Sequence, residues 1–281
     1  MVRRSGGMTP EKIKRRIKEG RGQNSGGDYR PWITVQDFSS RGQANRELGW
    51  KTGRQHDLHS KEEREYFLIL EWSPIVIDIQ EQFPLLPLEK TLSIAKHCGL
   101  HHPADDKTKE PVVMTTDFLI TLARPVGSFK VARTFKPAVY LSDSSVIEKF
   151  EIERRFWQEQ GTDWGIVTEK EINPVVVENV AWVHTFRHPS ALHPMSEKLI
   201  RQVARTLTEA VARNDRPLSE LALDCDERLG LVLGSSLFVA RHLIASRQWL
   251  VDITKPIHPS RRLELVGTAV VEPLMAEVVG E

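Results

Sequence analysis

Two β-rich runs joined by one short turn restrict the fold of this chain more than any other feature. VVMTTDFLITLA (residues 112–123) and FKVARTFKPAVYL (129–141) flank the turn sequence PVGS, and together they read as an antiparallel hairpin. Elements of a different period surround it. Ser60 is placed to N-cap a helix from Lys61 to about Trp72, whose Phe67, Leu68, Leu70 and Trp72 supply a face to bury. IVIDIQEQFPL (75–85) reads as a strand with an exit turn, and HCGLHHPADDKTKEP (97–111) as a polar loop. Residues 144–160 read as a helix with an N-capping serine, and GIVTEKEI (165–172) as a short strand plus linker. Helix, strand, hairpin, helix and strand in that order imply an α/β layer, a mixed sheet flanked by helices.

At 281 residues the chain has room for roughly two domains. The change of character falls after residue 168, which predicts one domain at 1–168 and a second at 169–281. The second part is mostly helical. MSEKLIRQVARTLTEAVARND is amphipathic, and PLSELALDCDERLG and LVLGSSLFVARHLIASRQ read as two further helices joined at Gly230. WLVDITKPIHPSRRLELV follows as two short strands around a proline-containing turn. Three helices and a hairpin are the order of a winged-helix module.

Several function classes are excluded or disfavoured. No stretch approaches the ~18 consecutive apolar residues of a membrane span. The opening MVRRSGGMTPEKIKRR is basic without an apolar core behind it, so no secretory leader is expected. The two cysteines, Cys98 and Cys225, lie too far apart in sequence to suggest a disulfide framework, and a reducing cytoplasm is expected. TPEKIKRRIKE (9–19) reads as a short basic helix with Thr9 as N-cap and Pro10 at its first position. The Gly-rich GRGQNSGGDYRPW after it lacks the Lys-Ser/Thr of a phosphate loop and follows no strand, so it is not a nucleotide cradle.

The net charge of +1 hides an asymmetry: residues 1–60 carry 13 Lys/Arg against 6 Asp/Glu, and residues 61–169 carry 13 against 18. A basic arm beside an acidic middle suits a chain that grips a phosphate backbone and holds metal ions with carboxylates. It equally suits solvated charged faces. Lys12, Lys14, Arg15, Arg16, Lys18 and Arg21 are the candidates for phosphate contact, several of them on one helix face. Trp32, Trp50 and Trp72 sit among basic residues, where stacking on bases competes with core packing.

Three residues stand out for one reaction. Glu63 lies in the first turn of the helix 61–72, Asp117 opens the strand DFLITLA, and Lys136 lies in the second hairpin strand. Phosphodiester hydrolysis at neutral pH needs an activated water and neutralised charge on the phosphate oxygens. Mg2+, with Mn2+ as a substitute, supplies both when carboxylates hold it, and a lysine orients the water or stabilises charge. Thr134 and Lys136 share a strand face, and the Phe135 carbonyl between them is a further oxygen donor. Spacing alone does not separate this set from ordinary surface residues on strands.

RRIKEGRGQ, DYRPWITVQ, SKEEREYFLILEW, DIQEQFPLLP, MTTDFLI, FKPA, IEKFEIERRFW and KEINPVV follow one another across residues 14–177. In this the chain resembles the TnsA family, the endonuclease subunits of heteromeric bacterial transposases. The resemblance implies a restriction-endonuclease-like fold of the PD-(D/E)xK type, followed here by the mainly helical winged-helix part. It places Glu63, Asp117 and Lys136 on the family's catalytic positions, with Glu63 and Asp117 as metal ligands. It implies cleavage of the 5′ strands at transposon ends, beside a TnsB-like recombinase and a TnsC-like ATPase regulator. The superfamily has Glu or Gln two residues before the lysine, where this chain has Thr134. Either the hydroxyl acts through a water or another acid compensates. Glu153 is the candidate acid, against an i,i+4 pairing with Lys149 on the helix surface.

Two other readings stand beside this one: an autonomous restriction or repair nuclease, and a catalytically decayed adaptor between DNA and the ATPase. His97, Cys98, His101 and His102 are spaced too tightly for the usual tetrahedral zinc arrangement and read as an exposed loop. The last helical run is mostly apolar, with Arg241, His242 and Arg247 its basic residues, and Asp224, Asp226 and Glu227 lie in the helix before it. Phosphate attraction there is poor, which favours protein docking; the family resemblance implies the ATPase as that partner.

Overall fold

Burial patterns explain how the first half of the chain becomes a sheet between helices. The computed structural model describes residues 7–37 and 45–269. Contacts divide the chain into two compact units, Met1–Ile172 and Asn173–Glu281.

In the first unit, helix α1 (Pro10–Lys18) starts where Thr9 accepts a hydrogen bond from the Lys12 N–H. Strands β1 (Asn45–Leu48) and β2 (Gln55–Leu58) form a small antiparallel ribbon. Helix α2 (Lys61–Trp72) begins at Ser60, whose hydroxyl accepts from the Glu63 N–H at 3.0 Å. The central sheet holds β3 (Val76–Pro84), β4 (Thr115–Ala123), β5 (Ser128–Phe135) and β6 (Asp163–Val167) in that spatial order. β3, β4 and β5 are antiparallel neighbours, and β6 runs parallel to β5, so the sheet is mixed. Helices α3 (Leu88–Cys98) and α4 (Ser144–Gln158) complete the unit.

Side chains that alternate along the strands build a core on each face. Phe118, Ile120 and Val131 pack with Phe67 and Leu70 of α2. Leu119 and Ala132 point the other way and pack with Ile94 of α3 and Ile152, Phe156 and Trp157 of α4. This is the helix-flanked mixed sheet that the strand and helix periods predict.

The alternation breaks at one place. Glu81 bonds to Arg54 and His56, on the side of the β1–β2 ribbon, while Phe83, two residues on, packs into the α3–α4 cluster. In an unbroken strand the two would share a face. Gln82 between them takes φ +48°, a left-handed value that non-glycine residues seldom adopt. On the facing strand, Phe118 packs toward α2 while Thr116 bonds into the α4 side. Both strands therefore change face at Gln82 and Asp117.

The second unit is helical: α5 (Pro174–His184), α6 (Glu197–Arg213), α7 (Leu218–Leu229) and α8 (Ser235–Ala245). β7 (Trp249–Leu250) and β8 (Gly267–Thr268) pair antiparallel after them, two residues each. Gly230 closes α7 in the left-handed conformation, at φ +64°. Asp226 is fully buried and accepts from the Gly234 and Ser236 N–H groups, so it caps α8 instead of adding to an exposed acidic run.

Other local expectations change as well. Residues 88–98 form α3, so His97 and Cys98 end a helix and the loop begins at Gly99. The N-cap of α4 is Asp143, which accepts from the Ser145 N–H, in place of the expected serine. α5 lies in a stretch to which the sequence reading gives no element, and α8 starts only at Ser235. Among the described residues no helix is long and apolar enough to cross a membrane.

Candidate active site

α2 delivers Glu63 from its first turn, where the chain's own capping fixes it. The Glu63 N–H is held by Ser60, and Glu63 Oε2 turns back to accept from the His59 N–H at 2.9 Å. The side chain is buried, and no lysine or arginine pairs with it among the described residues. Burial pushes its pKa well up, and the carboxylate of Asp117 pushes it further. Asp117 thus lies within electrostatic reach, although 54 residues of sequence separate the two.

Asp117 sits at the face change on β4. Its Oδ2 accepts from the Phe135 N–H at 2.8 Å, and its Oδ1 accepts from Gln82 Nε2 at 3.2 Å. Burial raises its pKa, opposed by those two hydrogen bonds and by the positive charge of Lys136. Lys136 lies one residue beyond the end of β5, not within the strand as expected, and its N–H donates to the Val167 carbonyl. Its amine stands 5.3 Å from the ring centre of Tyr140. The three residues singled out in the sequence therefore lie within electrostatic reach of one another: buried Glu63 and half-buried Asp117 repel, and Lys136 acts on Asp117.

Glu153 lies directly against Thr134. It is buried on α4, not paired with Lys149 at the surface. Its Oε1 accepts from the Thr116 hydroxyl at 2.6 Å and from the Thr134 hydroxyl. Trp157 Nε1 donates to Thr116 Oγ1 at 2.7 Å, closing the network. Burial raises the Glu153 pKa to about 7, the two hydroxyls oppose the rise, and Asp117 adds to it. Where the superfamily sets an acid on the strand, this chain sets a hydroxyl that holds an acid delivered from a helix.

The donor set suits a hard divalent cation. Glu63 and Asp117 offer carboxylate oxygens in a site whose acids carry too little positive charge nearby to stay ionised comfortably. No group of three or more His, Cys, Asp or Glu forms a full cage among the described residues. One or two carboxylates completed by water and phosphate oxygens is the usual manner of holding Mg2+.

The remaining sequence candidates sort by their partners. Arg16 is buried, stacks over Trp32 and pairs with Asp37 at 2.9 Å, and Arg21 pairs with Asp37 at 2.7 Å. These two cations hold the N-terminal segment together, while Lys14, Arg15 and Lys18 remain exposed. Trp32 is a core residue and does not stack on bases. His97 bonds Ser93, His101 bonds Glu148, and His102 bonds Thr91, so the histidine cluster converges on no common point.

A mixed α/β first unit of this kind suits a restriction-endonuclease-like fold, which the family matches imply. Residues 73–169 match the family model described as TnsA-like endonuclease N terminal, and residues 171–253 match TnsA endonuclease C terminal. Over 272 residues the chain is 38% identical to the Escherichia coli protein named Transposon Tn7 transposition protein TnsA, covering 96% of each. The chain belongs to the TnsA endonuclease family and is a DNA endonuclease, the nuclease subunit of a transposase.

Proposed function

We propose that this chain cuts donor DNA at the 5′ strands of transposon ends, using Mg2+ held by Glu63 and Asp117, with Mn2+ as a substitute. The electrostatic contact between buried Glu63 and half-buried Asp117, with Lys136 acting on the second, carries the reading. A bound divalent ion would supply Lewis acidity, activating the attacking water and offsetting charge on the phosphate oxygens. Glu63 and Asp117 would position that ion. Lys136 orients the water or meets charge on the transferring group, and the Phe135 carbonyl is a further oxygen donor. Glu153 stands behind Thr134 as the compensating acid, which speaks against a decayed site.

The second unit supports protein docking more than DNA reading. The last three of its four helices, α6–α8, followed by the β7–β8 pair, support a winged-helix reading of a second domain at 169–281. Arg241, on the helix that would read bases, stacks on Trp182 and Phe186 and donates to the Trp182 carbonyl. His242 is buried and bonded to the Phe186 carbonyl. Val232, Leu233 and Phe238 are exposed around the α7–α8 turn instead. The partners proposed are a TnsC-like ATPase on this unit and a TnsB-like recombinase that cuts the 3′ ends.

The test is Asp117→Ala in the reconstituted reaction with recombinase, ATPase and donor DNA. Cleavage of the 5′ strands is expected to fall at least a thousandfold while 3′ cleavage and ATPase binding persist. Surviving 5′ cleavage would remove Asp117 from the site. Efficient cutting by the purified wild-type chain alone would instead establish the autonomous nuclease.

A further inference from the structure

The residue that pays for the face change in β3 also touches the acid at the site. Gln82 is buried at 6% exposure, with φ +48° two residues before the end of β3. Backbone held in a sparsely populated region costs on the order of 1–3 kcal/mol and persists where the surroundings over-determine it. Three contacts do so here. The Trp32 N–H donates to the Gln82 carbonyl at 3.2 Å, the Thr115 hydroxyl donates to Gln82 Oε1 at 2.9 Å, and Gln82 Nε2 donates to Asp117 Oδ1 at 3.2 Å.

The side-chain amide has only one sensible orientation. An ionised carboxylate accepts hydrogen bonds and donates none, so the nitrogen of Gln82 must face Asp117. Thr115 then secures the oxygen end, two residues before Asp117 on β4. Asp117 is gripped on both sides, by the Phe135 N–H at Oδ2 and by Gln82 at Oδ1. Each oxygen keeps a lone pair for another partner.

We infer that Gln82 is a positioning residue, which aims the Asp117 carboxylate at the divalent cation through its side-chain amide. This rests on the reading of Asp117 as a metal ligand. Irregular strand positions next to active sites commonly re-aim a side chain in this way. The partners that orient a ligating carboxylate matter to affinity nearly as much as the ligand itself. The left-handed turn at Gln82 swings β3 to its other face and keeps the amide beside Asp117.

Two variants separate positioning from folding. Gln82→Met keeps the length of the side chain and removes the donor. Gln82→Gly removes the donor and adopts φ +48° without strain. Mn2+ binding to the full chain, read from the free-ion electron paramagnetic resonance signal, is compared with that of wild type and Asp117→Ala. Both Gln82 variants are expected to bind Mn2+ roughly tenfold more weakly. Gln82→Gly is expected to melt at or near the wild-type temperature. Wild-type affinity in both Gln82 variants, with affinity lost in Asp117→Ala, overturns the inference about Gln82 alone. Equal affinity in wild type and Asp117→Ala overturns the metal reading and this inference with it.

Discussion

A buried acid without a counter-charge leaves a signature in stability, and Glu153 is the residue where it is easiest to read. Its pKa in the fold is raised to about 7 by burial, against an ordinary value of 4.5. Between those values the folded chain holds a proton that the unfolded chain has released. Stability is therefore complete below about pH 4.5, falls as pH rises through 7, and levels off above. Glu153→Gln keeps an oxygen to accept from Thr116 and Thr134 and cannot ionise. In the presence of EDTA, the variant is expected to match wild type near pH 5 and to exceed it above pH 7.5. The gap is on the order of 3 kcal/mol. Chemical denaturation across pH 5–8.5 measures it, and a gap that does not change with pH would show that Glu153 ionises freely in the fold.

Glu63 depends on its helix as much as on its own chemistry, because one cap sets both the start of α2 and the place of the acid. The Ser60 hydroxyl holds the Glu63 N–H, and the Glu63 carboxylate holds the His59 N–H. Ser60→Ala is expected to cost about 1 kcal/mol of stability and to weaken Mn2+ binding, while Ser60→Asp retains both. A loss of stability with unchanged Mn2+ affinity would separate the cap from the site. Elements with such end signals were legible in the sequence: α1 behind Thr-Pro, α2 behind Ser60, and the β4–β5 hairpin around its turn. α3 lacks a side-chain cap, since Pro87 stands at its start, and only Gly99 marks its end. α5 opens Val175, Val176, Val177, a β-branched run that argues for a strand on local grounds. Its Asn173–Pro174 start was the signal to weigh instead. The acids and the lysine of the proposed site were read through family strings. Gln82 was not, because a face change is a property of two paired strands, and no pattern along one of them records it.

At the scale of the whole molecule each of the two units holds its own set of buried side chains. Phe67, Phe118, Ile120 and Ile152 belong to the first unit, and Val203, Leu207, Val239 and Ile244 to the second. All of the site residues lie in the first. A ligand that binds only the folded form stabilises what it binds, by RT ln(1 + [L]/Kd). At ten times its Kd, Mn2+ would add about 1.4 kcal/mol, a rise of roughly 3–6 °C for a unit of this size. Leu207→Ala, at a fully buried position, would remove roughly 2–5 kcal/mol from the second unit. Calorimetry of the full chain is therefore expected to show two transitions, one moved by Mn2+ and the other by Leu207→Ala. Asp117→Ala should abolish the Mn2+ shift and leave the second transition in place. If Mn2+ and Leu207→Ala move a single shared transition, the two cores melt as one, and any partner that grips the second unit also changes the stability of the nuclease site.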